Sequence, residues 1–130
     1  MKIILSVLFL AYSLIGFGQQ SKEKILGKWD IHRVFRSEKN VTKENDPSNN
    51  RYITFNADGT FESGGDPYGI NTGIYTLSEN GTLFIDSDAG EGDDSMWVIS
   101  FDKKQKNMTW KNASSQSASE FVVVLKRSKK

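Results

Sequence analysis

The chain contains no cysteine. That excludes disulfides, thiolate metal sites, a cysteine nucleophile and a lipid-modified N-terminal cysteine. It has one histidine, His32, and two prolines in 130 residues. No Ser or Asp stands at a nucleophile–base spacing from that single imidazole, so no catalytic set is legible and the chain reads as a non-enzyme. A charge of one sign is lacking too. Seventeen Lys and Arg stand against 16 Asp and Glu, which favours neither nucleic acid nor an anionic membrane as partner.

Only one long apolar run is present, and it opens the chain. Met1-Lys2 gives a positive start, Ile3 to Phe17 is almost wholly apolar, and Gly16-Phe17-Gly18 puts small residues where a signal peptidase reads. Residues 1–18 therefore read as a secretory signal peptide. The run is short of the roughly 18–20 apolar residues of a spanning helix. The expectation is export, cleavage after Gly18, and a soluble periplasmic or secreted product without a membrane anchor. Residues 19–130 then form one domain, large enough to bury about two-thirds of its surface.

That domain carries no helical period of core-forming length. Gln20 to Leu26 has room for one or two helical turns, with Ser21 as a cap. Eight short strands follow, at about 28–36, 51–55, 60–63, 70–78, 82–87, 95–101, 107–112 and 120–127. Asp58-Gly59 and Asn80-Gly81 read as two-residue turns with positive φ at both positions. The polar segment 37–50 reads as a long exposed loop. Every connection is too short to need a crossover, so neighbours pair antiparallel in chain order. The fold class is all-β: an eight-stranded antiparallel up-and-down β-barrel, which leaves no exposed edge. A two-sheet sandwich is the competitor.

Strand alternation assigns an inner face. It carries Trp29, Ile31, Phe35, Ile53, Phe55, Phe61, Tyr75, Leu77, Leu83, Ile85, Trp97, Ile99, Phe101, Met108, Trp110, Phe121, Val123 and Leu125. Val122 and Val124 break the pattern and call for a covered outer face, with the N-terminal turn as the candidate cover. Arg33 shares the parity of Trp29 and Ile31. It either reaches the rim along an apolar wall or meets an acidic ligand group or Glu62.

Gly27-Lys28-Trp29 at the mouth of the first strand resembles the Gly-x-Trp signature of the lipocalins. With "YITFNADGTF", "GIYTLSENGTLFI" and "MWVISF" following in order, nearly all of residues 19–130 resembles the small lipocalin-like domains that bacteria export. The resemblance implies that Gly27 lets the chain pass close under the barrel floor and that Trp29 plugs the closed end. It also implies that a basic residue from the chain's end, Arg127 or else Lys126, packs on the indole, a cation–π contact of about 0.5–2 kcal/mol. The chain departs from the family in its shorter length and in lacking the C-terminal helix, the disulfide and the Thr-Asp-Tyr element. The likeness therefore reaches the fold and not a ligand.

The candidate ligand wall is Arg33, Phe35, Phe55, Phe61, Tyr75 and Phe101, with Tyr68 of the loop "GDPYG" over the mouth. The first function read from it is binding of a small apolar or amphipathic molecule inside the barrel. The second is an interaction or inhibitor module that meets a protein partner through its loops. Asp86, Asp88, Glu91, Asp93 and Asp94 crowd one loop, but an EF-hand starting at Asp86 would place Gly90, Glu91 and Trp97 where an oxygen ligand, glycine and Glu belong. That loop reads as solvated, and neither metal nor cofactor is implied.

Overall fold

A computed structural model describes residues 22–90, 92, 94–112 and 120–129. The expected signal peptide, Ser21, Glu91 and Asp93 lie outside the described residues. A helical turn, α1, spans residues 22–25. The strands are β1 (Gly27–Arg36), β2 (Lys39–Asn40), β3 (Tyr52–Phe55), β4 (Thr60–Gly64), β5 (Asn71–Leu77), β6 (Thr82–Ser87), β7 (Ser95–Phe101), β8 (Asn107–Asn112) and β9 (Phe121–Arg127), with a second turn, α2, at Thr42–Asn45. All pairings are antiparallel, and β9 returns to pair with β1. The result is a closed eight-stranded barrel of β1 and β3–β9, with β2 appended to β1.

The closed end forms around Trp29, which is fully buried. Its indole N–H donates to the Ile25 carbonyl at 2.8 Å, so α1 is tied across the barrel's base. The Arg127 guanidinium lies 4.0 Å over the indole ring and donates to the carbonyls of Leu26 and Lys24. Gly27 sits at φ +103°, and a Cβ there would stand 3.2 Å from Arg127 Nη1. A side chain at 27 would therefore meet both backbone strain and the cation that seals the floor. Ile25, Leu83, Met108 and Leu125 are wholly buried in the same layer.

Seventeen of the eighteen residues assigned inward belong to the core or pack against it. Phe35 is the correction. The β1–β9 register breaks between Ile31 and Arg33: Ile31 faces Leu125, Arg33 faces Val124, and His32 is the extra residue of a β-bulge. One inserted residue exchanges the faces beyond it. Val34 becomes the buried position, whereas Arg33 is exposed and Phe35 only half-buried, on the outside. Outer Val124 and Val122 stand opposite Arg33 and Phe35, while α1 is occupied at the floor. Glu62 also faces outward, accepting from the Tyr52 hydroxyl at 2.7 Å, so Arg33 does not meet it inside.

The turns differ from expectation as well. Gly59 and Gly81 have positive φ, but Asp58 and Asn80 do not. Each loop is a three-residue connection, closed by Asn56 N–H to Thr60 O and by Ser78 N–H to Thr82 O. Asp58 Oδ1 instead accepts from the Thr60 backbone N–H at 3.0 Å. Among the described residues, the two-residue turn with positive φ at both positions is Ser37-Glu38, inside the segment read as a long loop. That segment is ordered by β1. Val41 N–H donates to Val34 O at 2.8 Å, and Thr42 Oγ1 accepts from Val34 N–H at 2.9 Å. Residues 41–45 thus satisfy the edge of β1 where β3 has diverged from it.

Candidate functional site

Strand direction separates the two ends. β1 rises from the floor, β3 descends, and the alternation continues around the barrel. Starts of rising strands and ends of descending ones therefore lie at the floor. Phe55 and Phe61, opposite one another across β3 and β4, are 1% and 2% exposed and fill the lower core. Tyr75 meets Phe55 edge-on at 4.8 Å and donates its hydroxyl to Asn56 O. Phe101 lies 6.1 Å from Trp29. Of the expected wall, Phe55, Phe61, Tyr75 and Phe101 are thus gathered at the closed end, and Arg33 and Phe35 are outside. Tyr68 alone is at the mouth.

The open end holds a cavity of 370 Å³ lined by Ile31, Val34, Asn45, Arg51, Tyr68, Trp97, Trp110, Asn112, Phe121 and Val123. β7, β8 and β9 supply its aromatic side, and β1 supplies the aliphatic side. Trp97 and Trp110 stack at 5.5 Å with a 44° tilt, and Phe55 supports Trp110 from below at 6.2 Å. The Trp97 indole donates to Ser95 Oγ at 2.9 Å. The Trp110 indole N–H is buried and meets no acceptor among the described residues.

The polar rim is built by two loops that dock on each other. Asp66 N–H donates to Asn50 Oδ1 at 2.9 Å, and Asn50 Nδ2 donates back to Asp66 Oδ2 at 3.2 Å. Gly65 makes this approach feasible: it has φ +106°, and a Cβ there would fall 2.5 Å from the Arg51 Cα. Asp46 is buried, with Oδ1 accepting from the backbone N–H groups of Asn50 and Arg51. Arg51 then leans over the mouth. Its Nη1 donates to Asn45 O at 3.2 Å, and its guanidinium lies 4.5 Å from the Tyr68 ring centre. Burial pushes the Arg51 pKa down, against the pull of Tyr68 and Asp46. An arginine keeps its charge through such a shift.

Sequence reading missed Arg51, Asn45 and Asn112, which it placed in loops or at strand ends. The available signal was axial: a residue just before a descending strand, as Arg51 is before β3, belongs to the mouth. The single histidine is elsewhere, at the bulge. Burial first, then the positive charges of Lys126 and Arg33, lowers the His32 pKa. In the acidic loop Asp94 Oδ1 accepts from Ser87 N–H and Asp88 Oδ2 from the Thr72 hydroxyl. Among the described residues no three acidic or imidazole side chains converge as a metal set.

No protein-family model and no curated protein matches the sequence. Solved structures similar in fold include two small β-barrels. One is a DUF4847 family protein from Bacteroides vulgatus, with TM-score 0.57 and 12% identity over 82% of this chain and 95% of that one. The other is a redesigned β-barrel, with TM-score 0.50 and 13% identity over 83% of this chain and 95% of that one. At these identities the likeness shows a small β-barrel, and the fold alone.

Proposed function

We propose that this protein is an exported, lipocalin-like barrel that binds a small apolar or amphipathic molecule through its open end. One observation carries the reading: a 370 Å³ cavity walled by Trp97, Trp110, Phe121, Ile31 and Val34, with charge confined to Arg51 at the rim. Its size falls within the roughly 300–1,000 Å³ of small-molecule sites, and an apolar lining with few placed polar groups is their usual chemistry. The lipocalin likeness draws support from the floor, where Arg127 caps Trp29 beside Gly27. Binding is the role proposed for this cavity; the single imidazole, on His32, is outside its lining. Export rests on the leader at 1–18, and mass spectrometry of the protein recovered outside the cytoplasm should find Gln19 as its first residue.

The test is titration with the neutral fluorescent probe N-phenyl-1-naphthylamine. Saturable binding at micromolar concentration is expected, with quenching of tryptophan emission. Trp97→Ala should weaken binding about tenfold, roughly the loss of one well-packed aromatic contact. Absence of saturable binding would remove the proposal.

A second reading, contact with a protein partner, draws on the outer face of β5–β7. There Ile74, Met96 and Val98 are each about half exposed. This reading expects a purified exported partner to lose affinity for Val98→Lys while probe binding stays intact.

A further inference from the structure

The cavity lining holds one formal positive charge and no acid. Arg51 is half-buried there, and among the described residues only its Nη1 has a protein acceptor. Among the described residues Nε and Nη2 meet none, and no carboxylate pairs with the guanidinium. Asp46, whose charge acts on it, already accepts two backbone N–H groups. The lining has other donors beside Arg51, while Asn45, whose Nδ2 donates to Val41 O, keeps its side-chain oxygen as an acceptor. Among the described residues the Trp110 indole N–H meets no acceptor, and the side-chain oxygen of Asn112 accepts from Phe121 N–H. A partly desolvated cation without a paired carboxylate, beside an apolar wall, is complementary to an anion carrying a hydrocarbon body.

Resting on the proposed binding at this cavity, we infer that its ligand is a single-chain amphiphile with a carboxylate head. The head lies on the Nε–Nη2 edge of Arg51 and the tail on Trp97 and Trp110. The planar guanidinium fork matches a carboxylate with two parallel N–H···O bonds. The Tyr68 ring, its centre 4.5 Å from the same guanidinium, restricts the fork's rotation.

Three probes with one tail decide it: decanoate, decan-1-ol and decyltrimethylammonium, each displacing N-phenyl-1-naphthylamine from the protein. Decanoate should act at about tenfold lower concentration than the alcohol, a difference of about 1.4 kcal/mol. The cation should be the weakest. Arg51→Gln should bring decanoate to the alcohol's level and leave the alcohol unchanged, and Arg51→Lys should restore part of the difference. Should Arg51→Gln not fold, the order of the three probes on the unaltered protein decides alone. If the alcohol or the cation equals decanoate while all three displace the probe, the carboxylate site is refuted and the cavity reading survives. If the probe binds nowhere, both fall together.

Discussion

The two ends of this barrel use the same kinds of residue for opposite purposes. At the floor Trp29 is sealed on every side: its N–H is bonded to Ile25, its face covered by Arg127, its edge near Phe101. At the mouth Trp97 and Trp110 stack on each other and border open space, and the cation beside them, Arg51, has donors to spare. An arginine over an aromatic ring occurs at both ends. At the floor its two terminal nitrogens are consumed by carbonyls; at the mouth only one is. Filling gives stability, and incomplete filling leaves a cavity.

The largest effect that would break this contrast is on folding. Trp29→Ala should cost about 3–5 kcal/mol, the range for emptying a packed aromatic position, whereas Trp97→Ala at the mouth should cost about 1–2 kcal/mol. Denaturant midpoints compare the two. Equal costs would mean that the mouth is packed as tightly as the floor. Next, Arg127→Met should lose about 2 kcal/mol, since it removes a cation–π contact and two charge-assisted bonds. Arg51→Met should lose clearly less in the same melt.

A smaller effect is expected from deleting His32. The deletion leaves Arg33 opposite Val124 and Val34 opposite Val123 on an unbroken ladder, so the mouth should survive with a loss of about 1 kcal/mol or less. Unfolding of the deletion variant would show that the bulge itself holds β1 in place.

The smallest effects are in pH. The folded His32 pKa lies below its ordinary 6.5, so the unfolded chain takes the proton more readily. Stability should therefore slip as pH falls through that value and below, and His32→Gln should flatten the slope. Asp102, held below its ordinary 3.8 chiefly by backbone N–H donation from Asn107, contributes stability above that value and loses it as pH falls further. Thermal melts of Asp102→Asn should show less change in that lower window.

Much of the fold was legible because alternation, strand length and short connections all point one way. The Gly-x-Trp start located the floor. The bulge was not legible: His32 and Arg33 are both tolerable on either face, so nothing in "DIHRVFR" marks the extra residue. Ser37-Glu38 concealed a tight turn because neither residue favours positive φ. The expected ligand wall differs from the cavity lining for a different reason. Parity says which face a residue takes but not how high along the axis it lies. Phe55 and Phe101 end descending strands and Phe61 begins a rising one, which sends all three to the floor. The same rule, applied to Arg51 before β3 and Phe121 at the start of β9, finds the mouth.

The most direct test is the three indole N–H signals in a two-dimensional nitrogen–proton spectrum, assigned by single Trp→Phe variants and followed during decanoate titration. The account predicts saturable shifts at Trp97 and Trp110 with Trp29 unmoved. A shift at Trp29 with the other two still, or no shift at any of them, would contradict it.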